Sequence, residues 1–275
     1  MMMKRLMLFS AALVAGMIDY SSAFAADSLP DSPVSALVSF GAEFSTGGQG
    51  SGSETQSIYV PLIFTWFPTE RTDMGIEVPY LSQGGTNPAP HLYQNSRNAA
   101  STMMTRQGGA GGSTVTTGLG DIIARFGILS MFETERLPQL REALYVKFPT
   151  ASKADGLGTG EVDAGVGIDA VKWFGDLQFI GDLFYNYQGK AEDFGLTDYL
   201  SSTAGLGWQV SSSLRPMLLV KGATSLSRDS GALLEARMRL LWTLSAATSL
   251  DLFYSRGIAA NSPDWGGGLA IIHFY

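Results

Sequence analysis

The chain has no cysteine, which removes disulfide scaffolds, cysteine-built zinc sites, iron–sulfur clusters and thiol catalysis together. It is also poor in charge: only 16% of its 275 residues are Asp, Glu, Lys or Arg, and 18 bases face 25 acids. Nucleic-acid phosphates call for an excess of Lys and Arg, so a formal charge of −7 argues against that partner. Two histidines occur, His91 in a long loop and His273 in the last apolar segment. That is thin material for a Ser-His-Asp arrangement, whose members must lie within hydrogen-bond reach. After the first 25 residues no stretch offers the roughly 20 uninterrupted apolar residues that a spanning helix needs.

What the chain does have is apolar matter without charge: 45% hydrophobic residues, 33 Gly, 10 Tyr and 15 Phe. That composition points to a membrane before it points to an active site. At the start, Lys4 and Arg5 precede an apolar run from Leu6 to Met17, followed by the small-residue triplet Ala23, Phe24, Ala25. This is the pattern of a cleaved secretory signal peptide over 1–25. The alternative, an uncleaved anchor, needs a longer run. One domain over 26–275 remains, large enough for its own core.

Within that domain, alternation of period two returns again and again, and period two belongs to strands. Val34, Ala36, Val38, Phe40, Ala42 and Phe44 alternate with Ser35, Ser39, Gly41 and Glu43. Ile58, Val60, Leu62, Phe64 and Trp66 repeat the pattern, as do Met74, Ile76, Val78 and Tyr80 against Asp73, Gly75, Glu77 and Pro79. Further segments follow the same rule to the C-terminus. Each runs about ten residues, the length of a tilted membrane-crossing strand. About twelve such strands are expected, an even number of the kind single-chain outer-membrane barrels use. Connections alternate in length: 68–71, 175–176, 211–214 and 244–248 are short, 45–56, 82–116 and 150–160 are long, and 131–140 is longish for a turn. Short turns on one side and long loops on the other place both termini in the periplasm.

A soluble sandwich also alternates, so the position of the aromatics along the apolar faces decides between the two. Trp66, Trp208, Trp242 and Tyr275 fall at the short-turn ends, whereas Phe44, Tyr80, Tyr187, Tyr254 and Trp265 fall at the loop ends. Two girdles with aliphatic residues between them describe a lipid-facing wall. The fold expected is therefore all-β, a transmembrane antiparallel up-and-down β-barrel of about twelve strands in the outer membrane of a Gram-negative bacterium.

Residues 56–82, QSIYVPLIFTWFPTERTDMGIEVPYLS, residues 117–128, TGLGDIIARFGI, and residues 146–168, VKFPTASKADGLGTGEVDAGVGI, together resemble the outer-membrane family named for the meta-cleavage pathway of phenol degradation. The resemblance implies a β-barrel with a transport role for small compounds, aromatic or hydrophobic ones among them. The segment 84–116 is longer than that pattern leads one to expect.

If the apolar face meets lipid, the other face lines a lumen. Glu77, Asp121, Arg125, Lys147, Asp169 and Asp182 fall on that face along consecutive strands, and Lys221, Arg237 and Arg239 on another pair. They are placed to pair across the ladder. One reading is ion pairing that leaves no buried charge alone; the sharper reading is a selectivity constriction. Other lining positions are small, Ser39, Gly41, Gly165, Gly167, Ser201, Thr203, Gly205, Gly207, Gly266 and Gly268 among them, which predicts open space inside. Asp155, Glu161 and Asp163 read as a solvated acidic rim, without the spacing of an EF-hand loop. The Gly-rich strings at 108–112 and 156–160 read as surface loops, since neither opens a helix. Loop 82–116, with Met103 and Met104, is a candidate gate.

These features predict a channel for passive passage of small molecules, with outer-membrane lipid, a solute and the barrel-assembly machinery as partners, and with no cofactor, metal or catalytic role. The alternative is a structural or surface-interaction barrel with a closed lumen; a hydrolase working through His91 is a third reading.

Overall fold

Strict alternation gives a strand two unlike faces, and a ring of such strands can turn every apolar face one way. A computed structural model of the chain describes residues 35–47, 55–84, 115–190, 195–228 and 230–275. The leader segment, His91, Met103 and Met104 lie outside the described residues. Among the described residues there are thirteen strand segments: β1 (Ala36–Gly47), β2 (Thr55–Thr69), β3 (Thr72–Gly84), β4 (Thr116–Leu119), β5 (Ile122–Met131), β6 (Gln139–Phe148), β7 (Asp163–Phe174), β8 (Leu177–Tyr187), β9 (Tyr199–Trp208), β10 (Leu214–Ala223), β11 (Leu233–Ser245), β12 (Thr248–Gly257) and β13 (Trp265–Phe274). No helix occurs among the described residues.

Every neighbouring pair is antiparallel, and the sheet closes because β1 pairs with both β2 and β13 while β2 also pairs with β3. Both β4 and β5 lie along β3, so together they make one stave and the ring has twelve. Ser35 N and Tyr275 N donate to Tyr275 O and Ala36 O at 2.8 and 2.9 Å, which brings the last residue beside the first strand. Closure leaves no unpaired edge, the condition for a sheet to exist in hydrocarbon.

The stave made of β4 and β5 carries an extra residue. Tyr80 opposes Leu119, but Glu77 opposes Ile123, and Pro79 O accepts from Gly120 N at 2.8 Å between them. One inserted residue reverses the parity of side chains. Leu119 therefore points out and Asp121, two residues later, points in and is buried.

Burial is inverted relative to a water-soluble core. Phe40, Leu62, Ile76, Trp208, Leu218 and Met238 are exposed, Met238 by 63%, while Asp73, Glu77, Arg215 and Asp251 are exposed by 2% or less. An apolar band wrapping the whole wall far exceeds the patches that soluble monomers expose. Lipid is the solvent that suits it. Trp66, Trp208, Trp242 and Tyr275 lie on this outer face at the short-turn end, and Tyr80 and Trp265 toward the opposite end.

Several strand limits differ from the expected ones. β1 runs to Gly47 and β2 begins at Thr55, so the first long connection is shorter than 45–56. β6 starts at Gln139, inside the stretch expected as a turn, which places Arg141 in the wall. At the tightest connection, Gly175 takes φ +61° at the first of two turn positions, the conformation a hairpin closed by Gly175 and Asp176 requires.

Candidate functional site

Two arcs of the wall bring charge into the lumen. On β3 to β7, three ion-pair tiers rise from the short-turn end to the loop end. In the lowest, Arg141 bridges two acids: Nε and Nη2 donate to Asp73 at 2.8 Å, and Nη1 donates to Asp169 at 2.5 Å. In the middle tier Arg125 Nη2 lies 2.6 Å from Glu77 Oε2. In the highest, Lys147 Nζ lies 3.1 Å from Asp121 and 2.6 Å from Asp163. All these bases are nearly inaccessible to solvent. Ions buried this deeply persist only when paired. Asp182, on β8, faces the same space, where its Oδ1 accepts from Thr203 N at 2.8 Å.

The second arc is basic. Arg239 holds Asp251 at 2.7 Å, Arg237 lies 3.1 Å from Glu235 and 5.0 Å above the Phe253 ring, and Lys221 and Arg215 share the same face of β10. Since β10 to β12 stand roughly opposite β5 and β6 in the ring, an acid-rich wall faces a base-rich one. A polar solute between them lies in a transverse field.

The expected charged residues Glu77, Asp121, Arg125, Lys147, Asp169, Asp182, Lys221, Arg237 and Arg239 therefore all face inward, but not at one level. Lys147 sits one residue from the loop end of β6 rather than at mid-strand, so the set is a ladder through the barrel instead of a single ring. Asp163, expected on a solvated rim, turns inward to Lys147 and accepts from Gly189 N at 2.9 Å. Arg141 and Asp73 complete the lowest tier. The alternation did not single out Arg141, because its neighbour Glu142 is an exposed acid on the lipid side and breaks the apolar pattern.

At several of the small lining positions the predicted space is taken by a neighbouring side chain. A Cβ placed on Gly165 would meet the Tyr145 ring, on Gly167 the Phe184 ring, on Gly205 Leu219, on Gly268 Phe253, and on Gly127 the Arg141 guanidinium. Each glycine is the socket for a large side chain reaching in from an adjacent strand, and Phe184 is 0% exposed. The glycine pattern reads as room only when the facing residue is unknown. Between the tiers a polar relay continues the filling: Tyr145 OH donates to Asn186 Oδ1 and Asn186 Nδ2 donates to Ser201 Oγ, both at 2.9 Å.

At the loop end, connections fold inward. In loop 149–162, Leu157 packs on Tyr59 and Leu81, Ala151 N donates to Asp121 at 2.9 Å, and Lys147 reaches Thr159 at 3.5 Å. In loop 224–232, Leu226 packs on Tyr199, Ala223 and Leu233, and Gln188 Nε2 donates to Leu226 O at 2.8 Å. Asp198, in the loop between β8 and β9, is drawn upward in pKa by partial burial. The Tyr185 hydroxyl, Gln188 N and Lys190 outweigh that and hold it below the ordinary carboxylate value. Among the described residues no cluster of His, Asp or Glu has the geometry of a metal site.

The crystal structure of the COG4313 outer membrane channel from Pseudomonas putida F1 superposes with a TM-score of 0.65 at 14% identity, over 90% of this chain and 98% of that one. The translocator domain of the autotransporter NalP from Neisseria meningitidis gives 0.53 at 12% identity, over 90% and 91%. The β domain of the Bordetella autotransporter BrkA gives 0.50 at 11% identity, over 87% and 100%. At these identities the likeness is one of fold. Among curated proteins, none matches the sequence. A family model described as "Putative MetA-pathway of phenol degradation" matches residues 92–273.

Proposed function

The chain belongs to the family described as "Putative MetA-pathway of phenol degradation", and from that premise we propose that it is an outer-membrane channel passing small molecules by diffusion. The observation that carries this reading is the lumen itself: three ion-pair tiers facing a basic arc inside a closed ring whose outside is apolar. A barrel needing only mechanical stability gains little from buried ion pairs, which apolar residues of similar volume commonly replace without loss. Its fold-mate from Pseudomonas putida is itself an outer membrane channel. Residues 1–25 serve as the export signal, and 26–275 are inserted by the barrel-assembly machinery with both termini on the periplasmic side. Aromatic or hydrophobic compounds are the solutes proposed from the family. No chemical step is part of this reading, so neither the protein nor its His91→Ala variant is expected to cleave esters or peptides.

A second reading has its own support. The glycine sockets are filled by Tyr145, Phe184, Leu219 and Phe253, and filling of this kind favours a structural barrel with a closed lumen. Current through planar bilayers separates the two. A channel gives discrete conductance steps whose ion selectivity changes in Arg125→Gln or Lys147→Gln. No current, with no solute uptake by proteoliposomes, selects the closed barrel.

A further inference from the structure

The lumen bases Arg125, Arg141, Lys147, Arg237 and Arg239 each lie against a carboxylate. Arg215 is different. It is 1% exposed, at the second position of β10 and hence at the short-turn end of the lumen, and only neutral groups hold it. Nε donates to Gln209 Oε1 at 2.6 Å, and the guanidinium carbon lies 4.6 Å from the Trp173 ring centre. Nη1 reaches Gln178 Oε1 at a long 3.4 Å, and Nη2 is buried with no partner. Burying a cation without an anion is strongly unfavourable. The edge left open, Nη1 with Nη2, is the fork that takes a carboxylate bidentately.

The surroundings narrow the ligand further. Met217 follows Arg215 on the same face, and Leu241 opposes it on β11; both are buried. Gln178 Oε1, Arg215 Cδ and Met217 Cγ close over Gly207, each only 3.2 to 3.3 Å from where its Cβ would stand. Arg239, cross-strand from Met217, stands above with Asp251 as its own partner, so it does not supply the missing anion. An inorganic anion would satisfy the guanidinium but leave an aromatic ring and two apolar side chains beside it. An organic acid uses both.

We propose that the short-turn end of the lumen is a binding site for small organic carboxylates, with the carboxylate on the free edge of Arg215 and the apolar body against Met217 and Leu241. The turn at 209–213 covers it, because Gln209 both accepts from Arg215 and donates to Ser211 O at 2.5 Å; a ligand arriving from the short-turn side displaces Gln209. This assignment names a solute class for the channel and rests on solutes reaching the lumen.

The test is a titration of the full chain in detergent with benzoate, followed by tryptophan emission, with Trp173→Phe identifying the responding indole. Saturable quenching by benzoate but not by benzyl alcohol is expected, weakened at least tenfold in Arg215→Gln and less in Arg215→Lys. Resistance of each variant to unfolding by SDS at room temperature verifies the barrel. Equal quenching in wild type and Arg215→Gln, equal affinity for benzyl alcohol, or no saturable response to benzoate overturns the site. Acetate and chloride run alongside: displacement of benzoate by chloride as readily as by acetate makes this a general anion site and overturns the carboxylate assignment. Conductance is recorded on the same preparations, so loss of this site with current intact leaves the channel standing.

Discussion

Arg141 is the shared partner of Asp73 and Asp169 in the acid-rich wall, as Lys147 is of Asp121 and Asp163. Replacing Arg141 by Leu leaves Asp73, which is 0% exposed, without its guanidinium. Breaking one side of a buried pair costs about 3–5 kcal/mol. Arg141→Leu is therefore expected to lower the urea midpoint of unfolding in detergent well below that of wild type, and Asp73→Asn in the Leu background to restore part of the loss. An unchanged midpoint in Arg141→Leu contradicts the tier. The glycine sockets make a second prediction at this scale. A Cβ on Gly165 would overlap the Tyr145 ring, and overpacking of this kind costs about 1–3 kcal/mol. Gly165→Ala should be destabilising alone and nearly neutral combined with Tyr145→Ser, a non-additivity that a double-mutant cycle measures. Residue identity was legible to different degrees. Glu77 and Arg125 stand out as charges within clean alternation, whereas Arg141 lies beside exposed Glu142. Gly165 looked like empty space because its meaning depends on Tyr145, which only the register of β6 against β7 brings opposite it.

The elements carry the closing of the loop end. Loop 149–162 is pinned by one apolar plug, Leu157, and by hydrogen bonds to Asp121 and Lys147. Leu157→Ser removes the plug, and the loop should then be nicked faster by added protease while the rest of the barrel stays resistant; equal cleavage rates would show that Leu157 does not anchor it. Between β8 and β9, Asp198 accepts from Tyr185 OH at 2.8 Å and Gln188 N at 3.2 Å. Because its folded pKa lies below the ordinary value, the contact contributes fully above the ordinary carboxylate range and is lost only as pH falls through the lowered one. Amide exchange at Gln188 should stay slow across mildly acidic pH and quicken below it, and Asp198→Asn should abolish that dependence. The strands themselves were readable from period two. Their ends were not: β4 and β5 are separated by one inserted residue at Gly120–Asp121, and period two by itself cannot say that the two halves belong to one stave. The inward fold of loop 149–162 was likewise hidden, since Leu157 among glycines and acids carries no periodic signal.

At the scale of the whole molecule, the twelve-stave ring inverts the usual arrangement of polar and apolar side chains, and this inversion was the most legible feature of the sequence. It follows from alternation plus the sorting of Trp66, Trp208, Trp242 and Tyr275 to one end and Tyr80, Tyr254 and Trp265 to the other. How far the interior is filled was not legible, because filling depends on which side chains meet across strands far apart in the chain. The native absence of cysteine permits the most direct test of the inversion. Nitroxide labels attached to single cysteines introduced in turn at Leu218, Leu219, Val220 and Lys221, with the protein in lipid vesicles, report collision with oxygen, which concentrates in the bilayer, and with a water-soluble nickel chelate. Labels at Leu218 and Val220 are predicted to meet oxygen and exclude nickel, while those at Leu219 and Lys221 are shielded from oxygen. Oxygen contact that fails to alternate along β10, or nickel contact at Leu218 and Val220, would contradict a lipid-facing wall around a polar lumen.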